Sequence, residues 1–154
     1  MKYRIAHKHD QIMHGAMAGF LGAAVQTLFA IPVKLLHFTN LIYKDFGEVL
    51  VLGRDLEGTV SIIGLTVHFA NAIFWGVVFS YIMKFGPKKF YVLKGIGLGI
   101  FIWVFSMAIA TMFKLPLFKE ISNSTAYVLL IGSIIYGLIM SLVYKYFDQK
   151  LIND

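Results

Sequence analysis

The chain has 154 residues, of which 58% are hydrophobic and only 14% charged, whereas a soluble domain carries about 25% charged residues. That imbalance excludes an ordinary water-soluble domain and points to lipid as the solvent. The absence of cysteine excludes disulfides, thiolate metal sites and a cysteine nucleophile, and a formal net charge of +6 needs an explanation by position.

The N-terminal tail carries Lys2, Arg4 and Lys8, with His7, His9, Asp10 and His14 among them. A His-x-His pair beside a carboxylate can hold a transition metal, but a short tail has no fixed geometry, and no metal is expected. A first apolar run follows from about Ile12 to Leu36. It is too long for a signal-peptide core and lacks a small-residue cleavage site, so it reads as a retained membrane span. Pro32 is expected to kink or end it.

The connection from His37 to Gly58 is the longest in the chain. Leu41, Ile42, Asp45, Phe46, Val49 and Leu50 recur there at helical spacing, which predicts a short amphipathic helix lying in the membrane interface. Lys34, Asp45, Glu48 and Arg54 form a mixed-charge cluster around it, read as a salt-bridged lid or a gate. Further spans are predicted over 59–83, 91–113 and 124–147, each long enough to cross about 30 Å of hydrocarbon. The expected fold is therefore an all-α, integral membrane four-helix bundle forming a single domain.

Basic residues set the expected orientation. Lys2, Arg4, Lys8, Lys84, Lys88, Lys89, Lys94, Lys145 and Lys150 fall on one side, against Lys34, Lys44, Arg54, Lys114 and Lys119 on the other. The positive-inside rule then puts both termini in the cytoplasm. The net charge is thus a topology signal and an attraction to anionic lipid, and no nucleic-acid partner is expected.

The two halves share a pattern that suggests a parallel repeat of two helical hairpins. Gly15-x-x-x-Gly19 opens the first span and Gly95-x-x-x-Gly99 the third, 80 positions on, while Trp75-Gly76 matches Tyr136-Gly137 at an offset of 61. Small residues run at helical spacing along every span, and in lipid such stripes drive helix association. A tight bundle of this kind has no room for a wide pore, so conduction would require an oligomer.

Gln26, His68 and Asn71 fall near the middle of their spans on these stripes, with Ser106, Ser133 and Tyr136 at a similar level. Polar groups at that depth suggest a site for a ligand, ion or proton, with Gln26, His68, Asn71, Ser106 and Tyr136 as the binding set. The competing reading is interhelical hydrogen bonding that glues the bundle. His68 could ligate one face of a haem, but no second histidine lies at its depth, and no cofactor is expected. No phosphate-binding glycine loop, His-Glu-x-x-His or hydrolytic triad is present, so catalysis has no support.

The run His14-Gly15-Ala16-x-Ala18-Gly19, with Asp45-Phe46, Gly53-Arg54, His68, Trp75-Gly76, Tyr81, Lys94-Gly95, Trp103 and Tyr136-Gly137-Leu138, resembles the small four-span membrane proteins of the YqhR sort from spore-forming and related bacteria. That resemblance implies four spans and a bacterial plasma membrane, and it brings no activity or ligand. The expected function is a non-catalytic accessory or small-ligand-binding membrane protein. An oligomeric channel or transporter and an enzyme acting on lipid or quinone are the alternatives. Expected partners are membrane lipids and either further copies of the chain or a membrane partner protein.

Overall fold

A computed structural model describes residues 2–53, 61–87, 89–118 and 120–153, without the side chains of 2–10 and 150–153. Five helices follow in order: α1 Lys2–Leu35, α2 Tyr43–Leu52, α3 Ile62–Phe85, α4 Tyr91–Met112 and α5 Asn123–Asn153. Four contain stretches long and apolar enough to cross a membrane: Gln11–Leu35, Ile62–Phe85, Tyr91–Met112 and Asn123–Gln149. Their outer surfaces expose Leu28, Ile62, Phe74, Phe101, Val104 and Tyr127, the inverse of a soluble fold. The chain is a multi-pass membrane protein built as an all-helical bundle.

The helix ends follow local chemistry. Ser61 starts α3 by accepting the Gly64 N–H at 3.1 Å, which satisfies an otherwise orphaned donor. Asp45 accepts the Ile42 N–H at 2.8 Å at the start of α2, and Gly53 ends that helix at φ 68°, a conformation glycine adopts without a steric penalty. Pro32 lies within the last turn of α1. The N-terminal tail is not a separate segment as expected: its backbone continues α1 from Lys2. The His-x-His side chains lie outside the described residues.

The two hairpins are built alike. Gly15 meets Gly76 and Ser80, while Gly95 meets Gly137 and Ser141; Gly19 lies on Ala72, and Gly99 on Ser133. Each contact in the α1–α3 pair thus has its counterpart in the α4–α5 pair at the offsets of 80 and 61. Non-glycine left-handed residues repeat as well, with His37 at φ 59° and Leu117 at φ 66°.

The pattern breaks between the hairpins. α1 packs closely along α5, whereas α3 and α4 touch only marginally. On the closed side Gly22 receives the Tyr136 ring and Gly132 the Gln26 amide. Their repeat equivalents on the open side are Ile102 and Asn71, too bulky for the same approach. The expectation of a uniformly tight bundle is corrected here: α3 and α4 are held apart, and α2 lies against α3 at one end of the gap.

Candidate functional site

Two cavities meet at His68. The central one, about 20 Å³, is lined by Gln26, Tyr43, His68, Asn71, Tyr136 and Ser133 among others. It joins four of the five residues expected to bind a ligand. The fifth, Ser106, lines the larger cavity of about 390 Å³ in the α3–α4 gap, together with His68, Asn71, Trp75, Phe46 and Phe105. His68 begins six residues into α3, about 9 Å from that helix's start at 1.5 Å per residue. The cluster therefore extends from mid-span toward the α2 end.

The hydroxyl groups of the central cavity are paired within the bundle. Tyr136 donates to the Ala72 carbonyl at 2.7 Å, tying α5 to α3. Ser133 donates to the Leu129 carbonyl at 3.0 Å, which leaves its oxygen to accept from the Tyr43 hydroxyl at 2.6 Å. The Tyr43 ring stacks on His68 with centroids 6.2 Å apart and planes 16° from parallel. Burial pushes the Tyr43 hydroxyl well above its ordinary pKa, so it stays a donor. The Tyr136–Ala72 and Tyr43–Ser133 bonds join different helices.

Asn71 is different. It is exposed, it faces the gap, and among the described residues its amide has no hydrogen-bond partner. Trp75 walls both cavities, and Phe74, 59% exposed, forms part of the rim of the gap. By contrast, a groove of similar volume beside α1 is lined by Ala16, Met17, Phe20, Leu21 and Ile73. Lipid chains can fill that groove without any polar recognition.

The charge cluster forms the roof. Asp45 and Glu48 are fully buried; Lys34 and Lys44 reach Asp45 at 2.6 and 2.9 Å, and Lys44 reaches Glu48 at 3.5 Å. Burial opposes the charge on Lys44, but Asp45 and Glu48 outweigh it and hold the ammonium above its ordinary pKa. Arg54 lies outside the described residues. The expected amphipathic helix exists, but its carboxylate face is turned toward the bundle while Leu50, Val51 and Leu52 face outward. Tyr43 was not among the expected site residues. An aromatic at the start of a surface helix carries no sign in the sequence of what it will meet.

The family profile matching residues 9–152 is that of a family of unknown function, DUF6789. The chain belongs to this family. No curated protein and no solved structure matches it, so no named relative supports the resemblance to the YqhR sort.

Proposed function

We propose that this protein is a non-catalytic membrane protein that binds an amphiphile drawn sideways from the bilayer into the cleft between α3 and α4. The observation that carries the reading is Asn71, an exposed amide near the middle of a span, with no protein partner among the described residues. In hydrocarbon an unsatisfied polar group costs several kcal/mol, and a ligand head in the cleft removes that cost. The cleft volume falls in the range of small-molecule sites. The central cavity is only water-sized, about 20 Å³, which favours binding over passage of a solute along the bundle axis.

The reading includes cytoplasmic termini, from the distribution of lysines. It also includes a bacterial plasma membrane, from the resemblance to the YqhR sort.

Photo-cross-linking tests it. Two long-chain probes bearing a diazirine, one with a hydroxyl head and one with a methyl ether head, are added to the protein in bilayers. Adducts from at least one should concentrate on 67–75 of α3 and 105–109 of α4. Ala70→Trp, which adds bulk at an exposed cleft position, should cut them severalfold. Adducts spread evenly around all four spans would sink the reading.

A further inference from the structure

The polar groups left available in the cleft specify a head group. His68 is buried, stacks on Tyr43 and meets the Phe69 ring edge-on at 5.6 Å, so its ring nitrogens are the atoms that can take a ligand. One ring nitrogen of a neutral imidazole carries the proton, and the other is then an acceptor. No carboxylate lines either cavity, and Lys44 shares a third small void with His68, so nothing there compensates an imidazolium.

The neighbouring hydroxyls are already committed: Tyr43 to Ser133 and Tyr136 to Ala72. Asn71 lies three residues beyond His68 and so on the same helix face, and it can donate from its NH₂. Ser106 on α4 lines the same cleft. The cleft thus presents an acceptor beside a donor, and no ionised side chain lines it.

We infer that the cleft takes an uncharged lipid with a hydroxyl head, whose O–H donates to His68 and whose oxygen accepts from Asn71, with Ser106 closing the site from α4. This rests on the cleft reading above. A hydroxyl is the smallest head that donates and accepts at one atom. Ether, ester and quinone oxygens only accept, which leaves the His68 nitrogen unmatched. A phosphate or ammonium head would bring an uncompensated charge into an apolar cleft. Phe74, Phe105 and Leu50 at the exposed rim would hold the start of the tail, with the remainder left in the bilayer.

Competition against the hydroxyl-headed diazirine probe, on the full chain in bilayers, tests the assignment with palmityl alcohol, its methyl ether and its monophosphate. The alcohol should compete at about a tenfold lower concentration than the ether, the factor that one hydrogen bond of about 1.4 kcal/mol gives. The monophosphate should be the weakest. In Asn71→Leu, a change at an exposed position, alcohol and ether should both weaken and keep their roughly tenfold ratio, because both oxygens lose the same donor. In His68→Phe, which removes the acceptor of the O–H, alcohol and ether should converge to within about twofold. Equal competition by alcohol and ether in the unmodified protein overturns the hydroxyl assignment while cleft-centred adducts keep the binding reading. Stronger competition by the monophosphate overturns the uncharged head. Adducts spread over all four spans overturn both readings.

Discussion

Asp45 shows how much one side chain can carry. It is fully buried, accepts the Ile42 N–H that begins α2, and pairs with Lys34 and Lys44. Removing one partner of a buried pair leaves the other charge uncompensated, at a cost of about 3–5 kcal/mol. Asp45→Asn should therefore lower stability by about 3 kcal/mol, read as a fall in thermal midpoint in detergent. An unchanged midpoint would show that α2 is held by its apolar contacts alone. Lys34→Met should cost less, because the Lys34 side chain is 33% exposed and water screens its charge. Charge alone marked Lys34, Asp45 and Glu48 as a cluster. Which carboxylate each lysine meets depends on how α2 is rotated, and no residue pattern encodes that rotation.

At the scale of elements, close backbone crossings hold each hairpin. A Cβ on Gly76 would run into the Gly15 carbonyl, and one on Gly137 into the Gly95 carbonyl. Both obstacles are backbone atoms that cannot swing aside. Gly76→Ala and Gly137→Ala should each destabilise by about 2 kcal/mol or more, whereas Gly97→Ala, which meets nothing within 4 Å, should be neutral or slightly stabilising. Denaturation of the three variants side by side decides the matter, and equal effects would reject the crossing as the source of cohesion. Gly15 and Gly95 were readable from their four-residue spacing, and Gly76 and Gly137 from the match at an offset of 61. The face that α2 buries was not, because Leu41, Phe46 and Val49 define a helical stripe that either lipid or protein can cover.

At the scale of the whole molecule, the repeat brings α1 and α5 together but leaves α3 and α4 apart. Where the closed side has Gly22 and Gly132, the open side has Ile102 and Asn71, and the α2 residues Tyr43 and Phe46 line that gap. The departure from pseudo-symmetry coincides with the cleft. The proposed orientation can be checked because the chain has no cysteine, so single variants report alone. A membrane-impermeant maleimide applied to intact cells should label Glu120→Cys, at the α2 end, and spare Gln149→Cys. The reverse result would invert the topology.

Hydropathy, lysine placement and glycine spacing by themselves determined four spans, their expected orientation and the glycines on α1 and α4 where helices cross. Each is a property of one segment against a uniform solvent, or of one residue's size. Only the tertiary structure decided that Asn71 faces an opening while Gln26 lies beneath α5, that Tyr43 joins the lining of the central cavity, and that Asp45 turns inward. Those outcomes depend on how far apart two distant helices settle, and that distance reflects every side chain between them at once.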